Sequence, residues 1–214
     1  MQATYVDHMG DDLRVVNSAR VSFHKESDWV VLPGCPEMNT FEEHVLSLDD
    51  EKLINYLAKH NHWTPFSHVM ITMREKVPIF VARQRFKHMV GFTYNEVSRR
   101  YVDDSPEFYT PAVWRERPMG SVKQGSGSGV VEIVKDSFGT EWDIHEAYSH
   151  VMAELKEYYE DLIKAGVAPE QARMVLPQSM YTEYYVTGSL AAWARAYKLR
   201  IDPHAQKEIQ ALAK

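Results

Sequence analysis

The segment 83–101, which reads RQRFKHMVGFTYNEVSRRY, constrains this chain most, because it surrounds one Asn–Glu pair with basic side chains. The pair is Asn95 and Glu96. A solvated helix face, the alternative interpretation, has no need of a carboxylate among so many cations. A site that binds a phosphate and a heterocycle needs both, because Arg binds phosphate oxygens bidentately while Asn and Glu can read the edge of a base. The basic residues are Arg83, Arg85, Lys87, His88, Arg99 and Arg100.

The net charge limits which phosphorylated ligand such a site would take. The formal net charge is -6, and the isoelectric point is near 5.9. Nucleic-acid-binding domains are usually basic, and an acidic chain repels a polyanion. We therefore expect a small phosphorylated ligand and no nucleic-acid partner.

The composition is that of an ordinary folded domain. Apolar residues make up 44% of the 214 residues, which argues against disorder. No apolar run reaches the roughly 18 residues of a membrane helix, and the N-terminus lacks the pattern of a signal peptide. The single cysteine, Cys35, excludes an intrachain disulfide. These features predict a protein of the reducing cytoplasm with no membrane partner.

Strands and loops are predicted from alternation and from turn residues. Residues 3–7 and 69–76 are expected to form strands. Residues 29–41 contain two prolines and a glycine, and residues 102–129 are rich in Pro, Gly and Ser, so both are expected to be loops.

Helices are predicted to dominate, which gives an α+β fold. On one of them, over 78–89, Arg83 and Lys87 would share a face, and so would Gln84 and His88. We expect one domain over residues 1–214, a helix-rich unit around a small mixed or antiparallel sheet. The predicted helices span about 12–20, 47–59, 78–89, 142–164, 169–176 and 178–199.

Three histidines in KHNHWTPFSH raise the question of a metal site. His60 and His62 are two residues apart, which suits one face of a strand, and His68 follows. No nearby Cys or carboxylate completes a ligand set. We therefore expect no metal, and polar side chains that order a ligand or line a loop.

Two arginines late in the chain could reach one anion. Arg173 is close to the start of one predicted helix and Arg200 to the end of the next, and Glu170 precedes Arg173 by three residues. A pair of structural salt bridges is the alternative interpretation.

Cys35 is a possible nucleophile, because a lone cysteine can form covalent intermediates. It lies in LPGCPEM, with no His or basic residue beside it in sequence. We expect an inert thiol.

Six blocks, in order, together resemble the flavin-dependent thymidylate synthases over nearly the whole chain. They are SARVSF, HWTPFSH, PIFVARQ, NEVSRRY, ARMVLP and LRIDPHAQ. The order and spacing of six blocks are more specific than any one motif. The family signature is present as Asn95, Glu96, Ser98, Arg100 and Tyr101.

The resemblance implies a homotetramer with active sites where subunits meet. It implies FAD as cofactor and the reductive methylation of dUMP to dTMP, with methylenetetrahydrofolate as carbon donor and NADPH as hydride source. The flavin carries the hydride, so the protein binds, orients and supplies electrostatics.

The resemblance also implies roles for individual residues. Ser98 and Arg100 would hold the phosphate of dUMP, while Arg173, oriented by Glu170, and Arg200 would polarise the uracil carbonyls. The implied catalytic residues are Arg173, Glu170, Arg200 and Ser98. The implied dUMP set is Gln84, Lys87, Glu96, Ser98, Arg100, Arg173 and Arg200. The implied FAD set is Ser22, His62, Thr64, Lys87, His88, Met89, Glu96, Arg195 and His204.

The chain departs from the family pattern in two places. The family's Arg-His-Arg is Lys87, His88 and Met89 here, with one extra residue before Asn95. An Asn and an Arg that touch flavin in the family are replaced by Ser189 and Ala191. Three alternatives remain: a degraded homologue that binds nucleotide without turnover, a cysteine-dependent thymidylate synthase, and a nucleic-acid-binding module.

Overall fold

The structure, a computed structural model, describes residues 1–34, 41–119 and 125–214. Cys35 lies outside these residues, so its inertness stays a prediction. Within the described residues the strands are β1 (Gln2–Met9), β2 (Val30–Leu32), β3 (Glu43–Val45), β4 (Met70–Pro78), β5 (Phe92–Glu96), β6 (Ile133–Lys135), β7 (Glu141–Asp143) and β8 (Tyr181–Ser189). The α-helices are α1 (Asp12–Arg20), α2 (Leu48–Lys59), α3 (Ile79–Arg85), α4 (Ile144–Lys164), α5 (Pro169–Ala172), α6 (Leu190–Arg200) and α7 (Lys207–Ala213).

An antiparallel sheet of order β1-β4-β8-β5 organises the fold, and β2–β3 and β6–β7 form two small separate hairpins. In the large sheet, Glu75 of β4 pairs with Tyr184 of β8, and Met73 pairs with Val186. Paired residues share a face, so these four side chains lie on the same side of the sheet. The prediction of an α+β fold around a small sheet is confirmed.

The core lies between that face of the sheet and helices α3 and α7. Val77, Val81, Tyr184, Val186 and Ile209 are each at most 1% exposed and belong to one cluster. Each fully buried Val or Ile side chain stabilises the fold by roughly 1.5–3 kcal/mol. The same face therefore positions α3, which leads directly into the 83–101 segment.

A buried ion pair crosses this core. The Arg85 side chain on α3 and the Glu75 side chain on β4 are 5% and 3% exposed, and Arg85 Nε lies 3.2 Å from a Glu75 oxygen. The Tyr184 hydroxyl donates to the same carboxylate at 2.6 Å, and Arg85 Nη1 donates to the Tyr94 hydroxyl at 3.1 Å. Burial, then the nearby Glu75 charge, raises the pKa of Tyr184 well above its ordinary value, so Tyr184 stays a donor.

Capping residues begin the predicted helices where the sequence places them. The Asp11 side chain accepts from the backbone N–H of Arg14, and the Ser47 side chain accepts from that of Asp50. Each such cap satisfies a backbone donor that the helix itself leaves unpaired. The predicted helices over 12–20 and 47–59 and the strand over 69–76 are confirmed to within one or two residues.

The helix predicted over 78–89 is wrong in its last four residues, because α3 ends at Arg85. The Tyr94 hydroxyl lies 3.1 Å from the carbonyl oxygen of Arg85 and 2.8 Å from that of His88. These contacts, made by a residue nine and six positions further along the chain, hold a turn in place of further helix. Lys87 and His88 therefore lie beyond the helix, where the four-residue spacing of a helix face does not apply.

The helix predicted over 178–199 is also wrong, since its first half is strand β8 and only its second half is α6. Thr182, Tyr184 and Val186 are buried at alternate positions, and β-branched and aromatic residues favour strands. Strand β2 lies inside the predicted loop over 29–41, and α7 follows the last predicted helix. No helix in the described part of the chain is long and apolar enough to cross a membrane.

Replacing Gly91 by Ala should destabilise the protein more than replacing Gly166 by Ala. Both glycines have a positive φ, of 80° and 88°, so each Ala carries a backbone cost of roughly 1–2 kcal/mol. At Gly91 the added Cβ would also lie 2.9 Å from the Cβ of Ala192 and 3.1 Å from the Ser189 Oγ, whereas nothing lies within 4 Å at Gly166. Urea unfolding should show an extra loss of about 1 kcal/mol or more for Gly91→Ala. Equal losses of unfolding free energy in the two variants would contradict the prediction, because they would mean that α6 moves away from the added Cβ at no cost.

Candidate active site

The first group of predicted site residues gathers around the Arg200 guanidinium at the end of α6. Arg200 Nε donates to Nε2 of His88 at 2.8 Å, and Arg200 Nη2 donates to the backbone oxygen of Gln84 at 3.1 Å. The Gln84 side-chain amide is hydrogen-bonded to the side chain of Gln206. No carboxylate in the described residues forms an ion pair with Arg200. This group therefore fixes a positive charge in place and leaves it uncompensated.

His88 is held neutral within this group. Burial lowers the pKa of His88 from 6.5 to about 4, and the nearby charges of Arg200, Arg85 and Arg195 contribute in the same direction. A neutral imidazole has one nitrogen free to accept, and the Nε2 of His88 is the acceptor for Arg200. The arrangement orients the guanidinium without adding a second positive charge to it.

The turn that carries His88 is held through its carbonyl oxygens by α6 and by the last residue of β8. Arg195 Nη2 donates to the carbonyl oxygen of Val90 at 2.6 Å, and the Ser189 N–H donates to that of Gly91 at 3.0 Å. Met89 and Val90 are about three-quarters exposed, at 74% and 76%. The turn and Ser189 thus lie against each other.

The second group lies beyond the end of β5. The Glu96 carboxylate accepts from the Thr182 hydroxyl at 2.7 Å, and Arg100 Nε lies 3.7 Å from a Glu170 carboxylate oxygen. Arg173 Nε donates to the backbone oxygen of Glu170 at 3.2 Å. The predicted orientation of Arg173 by Glu170 therefore runs through the carbonyl, while the carboxylate faces Arg100.

The two groups are separate within one chain. No hydrogen bond or ion pair between described residues joins the Arg200 group to the Arg173 group. His88 precedes β5 and Glu96 is its last residue, and a five-residue strand separates its ends by about 13 Å. The structure does not bring Arg173 and Arg200 onto a common partner, as a single-chain anion site would require.

The third group lines a cavity beside α1 and α2. Ser22, His62 and Thr64, all from the predicted FAD set, lie on the wall of this cavity of about 910 Å³. Arg20 and Lys25 lie on the same wall. The Arg20 guanidinium is paired with the buried Asp50 at 2.5 Å, so its charge is offset. Lys25, the other cation on this wall, forms no ion pair with a described residue.

The remaining predicted residues have exposed or local positions. His204 contacts Asp202 through its Nδ1 at 2.9 Å, and Lys87 is exposed. Ser98 Oγ accepts from the backbone N–H of Arg100 at 3.3 Å. In the described part of the chain, no three His, Cys, Asp or Glu side chains come together as metal ligands.

The basic cluster of the 83–101 segment divides by role. Arg85 is buried against Glu75, and Arg99 pairs with Asp104 at 2.8 Å with its side chain 13% exposed. Arg83, Lys87 and Arg100 are exposed. Only part of the cluster is therefore available to a ligand, a division that residue type alone does not reveal.

Sequence reasoning missed two residues that hold the site together. Thr182 donates to Glu96, and Arg20 lines the cavity of the third group. Thr182 lies in the segment predicted as helix, so its alternation with Tyr184 was the signal that could have placed it beside β5.

Comparisons with known proteins agree with the order of the sequence blocks. The family model described as thymidylate synthase complementing protein matches residues 4–214. A flavin-dependent thymidylate synthase of Thermotoga neapolitana is 38% identical over 208 residues, which cover 97% of this chain and 80% of that protein. One from Thermus thermophilus is 34% identical over 209 residues, covering 98% and 67%. The crystal structure of the UMP/dUMP methylase PolB from Streptomyces cacaoi with 5-Br dUMP has a TM-score of 0.75 and 29% identity, covering 99% of this chain and 86% of that one.

The pH dependence of stability should report the neutral His88. Between pH 6.5 and about 4 the unfolded chain binds a proton at His88 that the folded chain does not, so stability falls as the pH falls through this window. Gln can still accept from Arg200 but binds no proton. The unfolding free energy of His88→Gln should therefore fall less than that of the wild type between about pH 7 and about pH 5. Equal falls by urea unfolding would contradict a depressed pKa.

Proposed function

This chain belongs to the flavin-dependent thymidylate synthase family, which methylates dUMP to dTMP, and from that premise we propose how its own residues carry the reaction. The carbon donor is methylenetetrahydrofolate and the hydride source is NADPH. The site is completed by more than one copy of the chain. We place the reaction in the cytoplasm, which fits the single cysteine and the small charged substrates.

The observation that carries the proposal is the fixed, uncompensated Arg200 guanidinium. Hydride addition to the pyrimidine ring moves negative charge onto a carbonyl oxygen. A cation already held by two acceptors stabilises that charge without reorganisation, which is the usual source of large electrostatic rate gains. Neutral His88 and the Gln84 carbonyl hold Arg200 in this way. A carboxylate partner would cancel the effect.

The second group supplies the phosphate contacts. Arg100 is exposed, and its backbone N–H donates to the Ser98 hydroxyl, so both side chains can face a phosphate. Arg173, on the other side of Glu170, is assigned to a uracil carbonyl. A dianionic phosphate would compete with the Glu170 carboxylate for Arg100, whose side chain is 52% exposed. Exposed ion pairs are weak, so the exchange costs little.

The cavity of the third group, beside α1 and α2, has the chemistry that a flavin dinucleotide requires. Its volume of about 910 Å³ is within the roughly 300–1,000 Å³ of ligand pockets, and Tyr56 and His62 stack there with ring centroids 6.0 Å apart. Hydroxyls of Ser22 and Thr64 and the ammonium of Lys25 can bind ribityl hydroxyls and a pyrophosphate. A bound flavin would supply the hydride, and these residues would hold and orient it.

Assembly from several copies follows from the separation of the two groups. A substrate that needs both Arg200 and Arg173 finds them together only if different chains contribute them. Strand β1 also exposes apolar side chains, with Tyr5 at 55%, Val6 at 41% and Met9 at 56%. Exposed apolar patches on a folded chain commonly mark an interface. We propose the homotetramer that the family resemblance implies.

A visible spectrum of the protein reconstituted with FAD and desalted tests the flavin proposal. A retained flavin band that shifts when dUMP is added is expected, because both ligands then share one site. Turnover to dTMP should follow with methylenetetrahydrofolate and NADPH. Retention and shift without turnover would favour a degraded nucleotide-binding homologue. Protein that cannot be reconstituted would overturn the proposal and return attention to nucleic-acid binding.

Mixing two inactive variants tests whether different copies complete the site. Arg200→Ala and Arg173→Ala should each lower kcat by about 100-fold or more, because each removes a preorganised cation. After co-refolding in equal amounts, sites that draw the two groups from different chains are rebuilt at random. Activity should return to roughly a quarter of the wild-type value. Exposed Arg14→Ala on α1 is the control and should keep full activity. No recovery in mixed oligomers would place both arginines of a site on one chain.

A further inference from the structure

A hydrogen-bond network leads from α7 to the Gln84 side chain, which belongs to the Arg200 group. The amide nitrogen of Gln84, Nε2, donates to Oε1 of Gln206. Gln206 Nε2 in turn donates to a carboxylate oxygen of Glu208 at 2.9 Å. Arg115 Nη2 donates to both oxygens of the same carboxylate, at 2.7 and 2.9 Å. Three side chains therefore stand behind the Gln84 amide and hold it in place.

Glu208 sets the direction of every donor in this network. It is 5% exposed. Burial opposes its ionisation, but hydrogen bonds from Arg115, from its own backbone N–H and from Gln206 outweigh burial, so the pKa of Glu208 lies below its ordinary value. An ionised carboxylate can only accept, so the Gln206 amide turns its nitrogen towards Glu208 and its oxygen towards Gln84. The Gln84 amide must then turn its nitrogen towards Gln206.

This polarity leaves Oε1 of Gln84 as an acceptor for a ligand. The atom has no hydrogen-bond partner in the described part of the chain. Solvent reaches it, because the buried side-chain atoms without a partner in that part of the chain are all on other residues. Arg200 Nη2 donates to the backbone oxygen of Gln84 at 3.1 Å, so the acceptor is carried by a residue that Arg200 also contacts. A ligand bound here meets a donor and an acceptor in one place.

Such a pair fits an edge of uracil and does not fit a phosphate. A phosphate dianion presents only acceptor oxygens, which the Gln84 oxygen would repel. Uracil carries an N–H at N3 between two carbonyl oxygens, whereas N3 of cytosine has no hydrogen and is itself an acceptor. With a carbonyl oxygen of the base on Arg200, the neighbouring ring position is therefore a donor in uracil and an acceptor in cytosine.

We propose that Gln84 selects uracil over cytosine by accepting from the N3–H of the base, and that Gln206 and Glu208 are positioning residues that hold its amide in the required direction. This inference rests on the proposed function, because it names what the same nucleotide site reads. The two ends of an amide have nearly the same shape, so an unsupported Gln84 could turn either its oxygen or its nitrogen to the base. A site built to bind an N–H rejects an analogue that lacks it, because its own polar group is then left unpaired.

Glu208→Gln should reverse the network without changing its shape. Arg115 only donates, so it would take the oxygen of the new amide and leave the amide nitrogen facing Gln206. Gln206 and then Gln84 would turn over, and Gln84 would present an N–H to the base. Calorimetric titration of the FAD-reconstituted protein with dUMP and with dCMP measures the result, at about pH 8, where carboxyl groups are ionised. The ratio of the Kd of dCMP to that of dUMP should be at least about tenfold lower than in the wild type.

Arg115→Gln is the matched control, because it breaks the same ion pair but leaves Glu208 as an acceptor. The direction of the Gln84 amide is then kept, and the Kd ratio should stay within about twofold of that of the wild type. Gln84→Met leaves the ion pair intact and removes the acceptor, so it should also lower the ratio at least about tenfold. This second variant decides the question if Glu208→Gln does not fold.

The contrary outcomes are distinct from one another. Weaker binding of both nucleotides by Glu208→Gln at an unchanged Kd ratio would mean that the network only supports the fold, and would overturn the inference. Tighter binding of both nucleotides by this variant would place the phosphate at Gln84 and overturn it as well. If the wild type binds dUMP and Gln84→Met keeps the wild-type ratio, the reading of N3–H is refuted and the proposed function still stands. Wild-type protein that binds neither nucleotide would overturn both.

Discussion

The buried pair of Arg85 and Glu75 is the interaction on which both the fold and the site depend. It joins α3 to the middle of the sheet. There the Tyr184 hydroxyl donates to the Glu75 carboxylate, and the Tyr94 hydroxyl accepts from the Arg85 guanidinium. Removing one partner of such a pair costs about 3–5 kcal/mol, because the other charge stays buried without compensation. Neither residue needs to touch a substrate to be essential. The pair holds the last residue of α3 against the sheet, and the Tyr94 hydroxyl holds the turn that follows, which carries His88.

The charge balance of the active site depends on the same buried arginine. Two guanidiniums, Arg85 and Arg200, lie close enough that the charge of one lowers the pKa of the other, but only one carboxylate among the described residues offsets them. His88 adds no further charge because its surroundings keep it neutral. The chain thus gives up folding stability to keep one cation uncompensated. That cost makes sense where a reaction develops negative charge.

The sequence predicts those parts of the fold that local chemistry decides. Asp11 and Ser47 cap helices that begin where expected, and alternation identifies β4. It fails where tertiary contacts override local preference. The Tyr94 hydroxyl holds the turn after Arg85, and pairing with β4 and β5 makes a strand of residues 181–189.

For the active site, motifs select the residue types and the structure decides their grouping. The 83–101 segment contains six basic residues, yet Arg85 and Arg99 serve the fold while Arg100 remains exposed. No pattern within the segment distinguishes these roles, because they depend on Glu75 and Asp104. Arg173 and Arg200 were expected at one anion, and they belong to separate groups. Sequence spacing cannot reveal which groups meet across chains.

The turn before β5 and the start of α6 pack closely against each other. Gly91 lies so close to α6 that a Cβ added to it would be 2.9 Å from the Cβ of Ala192. A larger side chain at either position would not fit at this distance. The Ser189 backbone N–H donates to the Gly91 carbonyl oxygen, and the Arg195 side chain donates to the Val90 carbonyl oxygen. The turn and the small residues at the start of α6 therefore fit each other. Because this turn carries His88, the same fit fixes the imidazole that accepts from Arg200, so the packing of Gly91 against α6 and the orientation of the Arg200 charge depend on each other.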